Sequence, residues 1–589
     1  MNKITGSART LARIFAKNKA ACAALVFLWL VTLVPRVYWL SQKDAFHNDE
    51  ITSILFSEYN DLGWTQHFQF DKAFSGKQIK ESFLLTDGTY KEMFSDIWKL
   101  WHTTRDIHFA PFFILFRIAE GTLKTGEIRD LLPRAGGLNL ILYSISFFVF
   151  FFLVKRLIPG NKILPYIAST ATFLSTAAIS SSVLFRPYQM QQTFTIIFVY
   201  VVIRYLTEDK FILHTNNKLY IKQSFLFAFA ASTALALTSV LFSIIFVVVL
   251  GLFVIAWCIY TKRYKDIGVY IFSFFVALGA SQIIYAGYLG ILLGFGLTTA
   301  GQVFSKAVSS AAGSSLGGLI EAAPEAASET AKTIFQEQVD KVFSIKPLPA
   351  MFEQLYGYYW TLPVIIVTGV IAAAAILLFL LNKKKPKINW KNRVLDAVFS
   401  PCTGIVLAAA LFILLGIIGA QFKEMRYGAP VYPFFILIPA LILNTIKNKK
   451  IMTALGCALV ISFGVYDFTE SKVPNVWHGI PDKLYKFRNE PQIPAFIIAD
   501  SNHFPLLLPY LADDQIYIFN KQIYPAFQKF NFEEFFLIIN DPLIEKNVID
   551  SELWEIEEVY KVGVNIGLWT VGKIKRIASA EAVDRLKNE

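Results

Sequence analysis

The sequence predicts a polytopic α-helical membrane protein of about eleven spans, carrying a small α/β domain at its C-terminal end. Three observations carry that prediction. Apolar residues make up 55% of the 589-residue chain and charged ones only 17%. Charge-free runs occupy 20–35, 138–154, 224–260 and 405–422. About 20 apolar residues cross the hydrocarbon core, so the third run is long enough for two spans. After residue 467 the pattern changes to clustered prolines and short apolar runs separated by polar segments.

Composition also narrows the function classes. The four cysteines (Cys22, Cys258, Cys402, Cys457) lie in apolar segments with no paired spacing. They read as small core residues, not as a disulfide framework or a metal site. The net charge of +12 falls largely in short clusters between spans. Membrane topology accounts for those clusters without a nucleic-acid partner.

Residues 1–19 carry Lys3, Arg9, Arg13, Lys17 and Lys19 and no acid, which places the N-terminus in the cytoplasm. The apolar segment 20–40 is long for a signal sequence and lacks a convincing cleavage site, so it reads as a retained first span. Arg36, Tyr38 and Trp39 mark its exit at the interface. The stretch 41–134 is polar and aromatic-rich (Trp64, Phe68, Phe70, Trp98, Trp101), and a loop this long is unusual unless it is functional. Within it, 109–123 is apolar but short and holds Arg117 and Glu120; it is expected at the interface as a juxtamembrane helix.

The remaining spans are expected at 136–154, 163–182, 187–206, 223–240, 241–261, 266–290, 357–381, 395–420, 428–446 and 451–468. That arrangement puts Lys155-Arg156, 262–265, 383–393 and 447–450 on the cytoplasmic side, as the positive-inside rule requires. The outer side receives the first loop, Phe185-Arg186-Pro187-Tyr188, a second loop over 301–350, residues 421–427 and everything after 467. In the second loop Ile334, Phe335, Val339, Val342 and Phe343 share one helical face, so it reads as a lid, a surface-lying helix or a plain interspan loop. Domain organisation is therefore 1–469 for the transmembrane part and 470–589 for a soluble domain. The latter has strand-like runs at 495–499, 515–519, 535–539 and 567–571, with helical or polar pieces such as 504–511 and 549–559 between them. No Gly-rich phosphate loop opens any of its helices, which argues against nucleotide binding.

The residues able to carry chemistry cluster on the outer side. Ala45-Phe46-His47-Asn48-Asp49-Glu50-Ile51 follows the first span, and the flanking Phe46, Ile51, Ile54, Leu55 and Phe56 suggest a half-buried helix start. There the pKa of an acid would be altered, the apolar neighbours raising that of Asp49 towards the working range. Asp49 and Glu50 are neighbours, so on a helix their side chains point about 100° apart and one works while the other supports it. Asp49 is the candidate base. His108 begins the juxtamembrane helix near Pro111. Arg186-Pro187-Tyr188 and Arg426-Tyr427 lie at outward span ends, where an arginine either anchors the span or binds an anion. One acid, several arginines and a deep apolar body fit sugar transfer: the acid takes a proton from an acceptor hydroxyl or amine, and cations meet the charge growing on a lipid-phosphate leaving group.

This arrangement resembles a family. Asn48-Asp49-Glu50 after a first span, His108 to Pro111 with Phe112-Phe113-Ile114-Leu115, Leu132-Pro133-Arg134-Ala135-Gly136, and Phe185-Arg186-Pro187-Tyr188 look like the membrane glycosyltransferases of the GT-C fold. Among them the chain is similar to the protein mannosyltransferase and lipid A aminoarabinose transferase group and to its bacterial RgtA-like relatives. The resemblance is best over 20–260, with Arg426-Tyr427, Pro430 and Pro433 as a weaker late echo. It implies a polyprenyl-phosphate sugar donor and a glycan, lipid or protein acceptor. It also implies a periplasmic active site in a bacterial inner membrane, Asp49 as the base, and Arg186 near the donor phosphate. The family has metal-dependent and metal-independent members; here the only ligands on offer for a divalent metal are Asp49, Glu50 and His108. The chain departs from the family in that Phe109 and Ala110 separate His108 from Pro111. The rival readings are a transporter or flippase for a lipid-linked sugar and a non-catalytic scaffold. No internal repeat supports the former, and the latter leaves Asp49 and Arg186 without a role.

Overall fold

A computed structural model describes residues 19–43, 46–58, 72–83, 88–102, 110–122, 131–208, 212–215, 218–221, 223–292, 349, 359–381, 395–420, 425–469, 489–498, 511–520, 532–539, 554–564 and 567–576. Helical structure stands at every expected span. Five described helices are long and apolar enough to cross a membrane: α1 (Lys19–Ser41), α6 (Leu131–Leu157), α11 (Ser243–Tyr260), α12 (Tyr264–Ile284) and α13 (Leu362–Leu381). Between α1 and α6 lie α2 (Asn48–Ser57), β1 (Ala73–Ser75), α3 (Gly76–Phe83), α4 (Tyr90–His102) and α5 (Ala110–Glu120). The rest of the bundle comprises α7 (Leu164–Phe173), α8 (Thr176–Val183), α9 (Tyr188–Thr207), α10 (Gln223–Leu237), α14 (Pro401–Ala420), the turn α15 (Met425–Gly428), a 3-10 segment (Tyr432–Ile436), α16 (Leu437–Asn444) and α17 (Lys449–Thr469). A small hairpin, β2 (Ile212–Thr215) with β3 (Lys218–Ile221), follows α9. Large apolar side chains such as Phe27, Val34, Phe227, Phe275, Ile283 and Leu380 stand exposed on the outside of the bundle. In water such a surface would be an aggregation site; in lipid it is the solvent-facing one. The amphipathic stretch 334–343 lies outside the described residues.

One expectation about helices is corrected and another gains detail. The span expected over 163–182 is broken into α7 and α8. Ser175 adopts an extended conformation and caps α8, its hydroxyl accepting from the Ala178 N–H at 3.3 Å. The break frees the Phe173 carbonyl, which accepts from Arg36 Nη1 at 2.7 Å, while Arg36 Nε donates to Ser182 at 3.0 Å. Arg36 is thus fully buried and stacked 3.9 Å from the Tyr143 ring centre, not an interfacial marker. The detail concerns α5. Its 11 residues make it about 16 Å long at 1.5 Å per residue, too short to span. Its apolar side is turned inward: Phe112, Phe113, Phe116 and Arg117 are all buried, the three rings in the same core as the bundle helices. Phe113 packs on Phe56 of α2 at 5.2 Å, and Arg117 donates to Asp96 of α4 at 3.1 Å.

The C-terminal part forms one mixed sheet, ordered β1-β5-β4-β6-β8-β7, from β4 (Ala495–Ile498), β5 (Ile516–Asn520), β6 (Glu534–Ile539), β7 (Trp554–Val564) and β8 (Gly567–Arg576). The four strand-like runs match β4, β5, β6 and the first half of β8. The helical reading of 549–559 fails, because 554 onwards is strand. In the backbone ladder Glu555 stands opposite Lys575 and Glu558 opposite Lys573, with a register shift between Ile556 and Glu558. The piece 504–510 lies outside the described residues. β1 comes from the first loop and pairs antiparallel with β5, so that loop supplies an edge of the sheet. Lys80 of α3 ion-pairs with Asp513 at 2.8 Å, and Gly76 lies so close to the Ala512 carbonyl that a Cβ would collide with it. The loop that bears Asp49 is therefore stitched to the C-terminal sheet.

Candidate active site

α2 begins where His47 and Glu50 close a reciprocal cap. His47 Nδ1 accepts from the Asp49 N–H at 3.0 Å, and the Glu50 carboxylate accepts from the His47 N–H at 2.6 Å. The usual sequence signal of such a box is Ser or Thr three residues before Glu, and His47 in that place hides it. Burial depresses the His47 pKa to about 4, with Asp49 pulling it up and Arg426, Arg186 and Lys43 pulling it down. The ring is therefore neutral at physiological pH, as an accepting Nδ1 requires.

Glu50 is completely buried and points away from the surface. One oxygen ion-pairs with Lys43 at 2.9 Å and the other accepts from the Phe185 N–H at 2.8 Å. Burial pushes its carboxyl up, while Lys43 and the two backbone N–H groups pull it down. The Phe185 bond ties the first loop to the connection before α9, one residue from Arg186. Glu50→Gln removes the charge that Lys43 pairs with and is expected to destabilise the fold by about 3–5 kcal/mol, since a broken buried pair strands its partner. A melting temperature equal to wild type would contradict this placement.

Asp49 occupies the opposite side of the helix start, with a quarter of its side chain exposed. Arg426 of α15 donates through Nη1 to its carboxylate. Arg186 Nη1 donates to the Asp49 carbonyl and to Ser53 Oγ, both at 3.2 Å. Burial alone would raise the Asp49 pKa, but Arg186 and Arg426 outweigh it and hold the carboxyl below its ordinary value. Raising by the apolar neighbours, the sequence-based expectation, does not prevail. Arg186 is only 5% exposed, and its Nε has no hydrogen-bond partner among the described residues. A span-anchoring arginine would reach for water; this one is enclosed with a donor unspent.

Tyr188 and Tyr427 meet edge to face at 5.8 Å beside these groups, and the Arg426 guanidinium lies 5.2 Å from the Tyr427 ring centre. Gln192 holds the α15 turn in place by donating to the Ala429 carbonyl at 2.9 Å, and Gln191 donates to Ser243. A tight, partly open crevice of about 20 Å³ is lined by Tyr188, Tyr427, Val240, Phe242 and Phe412. Its walls are largely apolar. The structure thus brings together Asp49, Arg186, Tyr188, Arg426 and Tyr427 and sets Glu50 behind them; His108 lies outside the described residues. Lys43, His47 and Ser53, which complete the arrangement, were not singled out from sequence. Among the described residues no group of three or more His, Cys, Asp or Glu side chains is placed to hold a metal ion. Asp49 and Glu50 are each held by a cationic side chain.

No protein-family model matches the chain, and no curated protein does. Among solved structures it is similar to ArnT from Cupriavidus metallidurans bound to undecaprenyl phosphate, at 10% identity over 93% of this chain and 97% of that one, with a TM-score of 0.44. It is also similar to the archaeal oligosaccharyltransferase AglB from Archaeoglobus fulgidus in complex with an inhibitory peptide and a dolichol-phosphate. That match has 11% identity over 89% of this chain and 70% of that one, with a TM-score of 0.47.

Proposed function

We propose that this chain is an integral membrane glycosyltransferase of the GT-C type. It moves a sugar from a polyprenyl-phosphate donor to an extracytoplasmic glycan, lipid or protein acceptor, in the plasma membrane of a bacterium. The observation that carries this reading is the junction of Asp49 with Arg186 and Arg426, three residues from distant parts of the chain, next in sequence to Tyr188 and Tyr427, which line an apolar crevice. The apolar lining of the crevice matches a prenyl tail in chemistry, though its walls must part to admit one; the arginines suit the donor phosphate, and Asp49 suits the acceptor's proton. In the reaction, Asp49 takes the proton as the acceptor oxygen or nitrogen bonds to the anomeric carbon. The bond from that carbon to the phosphate oxygen breaks, and polyprenyl phosphate leaves with its charge met by the guanidinium groups.

Arg426 has two partners in this scheme. Before donor binds it neutralises Asp49 and keeps it a weak base. A donor phosphate competes for the same guanidinium, so the Asp49 pKa rises when the donor is in place. The pH dependence follows with a definite sign. Asp49 works ionised, and its depressed pKa puts the acid limb of kcat/KM in the free enzyme below the ordinary aspartate value of about 3.9. Arg426→Gln takes away one opposing charge and should move that limb to higher pH. An unmoved limb would detach Arg426 from Asp49. The pairing likewise stabilises the fold above the unfolded aspartate pKa and is lost as pH falls through the folded one.

Glu50 and Lys43 act as positioning residues, Tyr188 and Tyr427 line the substrate side, and the C-terminal sheet lies on the outer face. Cysteines introduced at the exposed Lys262 and Asp514 are expected to react with impermeant reagents from opposite sides of the membrane; reaction from one side contradicts the topology. Incubating the purified protein with undecaprenyl-phosphate sugars and an envelope extract separates the rival readings. A transferase liberates undecaprenyl phosphate, a flippase moves the intact donor across a vesicle, and a scaffold does neither.

A further inference from the structure

The geometry of α4 points to a membrane-docking helix: we infer that it lies along the outer leaflet, with an aromatic stripe in the headgroup–acyl boundary. This inference does not depend on the proposed reaction. Tyr90, Phe94 and Trp98 recur every four residues and are 68%, 64% and 62% exposed. Trp101 continues the same stripe one turn on, its ring 5.4 Å from that of Trp98. Side chains four apart stack on one helical face, so α4 presents a row of rings outward. Its opposite face (Met93, Asp96, Leu100) is buried, with Asp96 held by Arg117 of α5. Because that inner side is already packed, the aromatic row is not waiting for the chain's own core.

Two observations identify what covers the row. The Trp101 indole N–H lies 3.1 Å from each of the Ile283 and Ile284 carbonyls, at the C-terminal end of the membrane-length helix α12. Ile283 itself is 74% exposed, so the end of α4 sits where a lipid-facing span ends. Beside the aromatics run Lys91 and Lys99, both exposed, one helical step around. Rings below and ammonium groups alongside match an interface of acyl chains and phosphates, where Trp and Tyr concentrate. A sugar platform would need polar side chains free among the rings to bind hydroxyls; the exposed ones are Lys91, Ser95, Lys99 and His102, and the His102 ring is packed on Trp98 and Trp101 with Nδ1 at the Trp98 carbonyl. α4 packs on α5 and α5 on α2, so docking at this helix fixes the depth of the helix that bears Asp49.

The test uses the full chain with its own four cysteines replaced by Ala, reconstituted into vesicles of phosphatidylethanolamine and phosphatidylglycerol. Nitroxides are attached at Phe94→Cys or Ser95→Cys, both exposed positions. Relaxation by oxygen should exceed relaxation by an aqueous nickel chelate at 94, with the ratio reversed at 95. Equal access of the chelate to both sites would overturn the inference. So would protection of site 94 by a soluble oligosaccharide, which would make the row a glycan platform. As a readout free of labels, Trp98→Phe should lose part of the tryptophan emission quenched by lipids brominated high on the acyl chain. An unchanged quenched share would count against docking.

Discussion

Asp49→Asn is expected to fold, insert and bind donor as the wild type does, and to lose transfer by on the order of 10²–10⁴-fold, the usual cost of removing a general base. The substitution changes one atom and keeps an oxygen that can accept from Arg426, so the α2 start and its His47–Glu50 cap stay intact. What disappears is the site for the acceptor's proton. Donor affinity should hold or rise, because the carboxylate that competes with the phosphate for Arg426 is gone. The loss therefore appears in kcat, with no increase in the donor dissociation constant. Should Asp49→Asn turn over normally while Glu50→Gln is dead at full stability, the base would be Glu50. The pairing of Glu50 with Lys43 and with two backbone N–H groups leaves it poorly suited to that part.

Arg186→Ala carries the second-largest expected effect, about 10²–10³-fold in turnover, comparable to deleting one donor from a site that stabilises a leaving oxyanion. Its guanidinium already braces the Asp49 carbonyl and Ser53 Oγ while Nε remains unpaired among the described residues. Arg186→Lys restores the charge without the planar fork and should recover only part of the loss. Arg426→Lys is expected to behave in the same way, since a lysine cannot face Asp49 and a phosphate at once with two separate edges. Rates are read with a fixed undecaprenyl-phosphate sugar, alongside donor binding. Near-normal turnover in Arg186→Ala would reduce this residue to a support for the α9 start.

Much of the architecture was legible because the membrane imposes simple periodicities. Charge-free runs gave the helices, and the strand-like runs at 495–499, 515–519, 535–539 and 567–571 gave four strands of the sheet. The failures share a cause: contacts between segments far apart in sequence. Nothing near Ser175 says that Arg36, on another helix, will receive the carbonyl freed by a break. Nothing in Ala73–Ser75 says that it will join a sheet built from residues beyond 490. The apolar rings of 110–120 are spent on the shared core, and the exposed aromatic row of the first loop lies on α4, where the sequence alone did not single it out. At the site, residue types and span ends singled out Asp49, Arg186 and Arg426 separately. Their meeting could not be read, because Arg426 lies 377 positions from Asp49. The depressed Asp49 pKa was missed for that reason, since the apolar neighbours are adjacent in sequence and the arginines are not.

The central claim is that Asp49 accepts the proton that lets a sugar leave its polyprenyl phosphate. The most direct measurement is the yield of undecaprenyl phosphate from a panel of undecaprenyl-phosphate sugars plus envelope extract. It compares wild type with Asp49→Asn in preparations whose donor binding has been matched. Many equivalents are expected per wild-type molecule with at least one donor, and almost none from Asp49→Asn despite equal occupancy. Equal release by the two proteins, or no release by the wild type with any donor it binds, would contradict it.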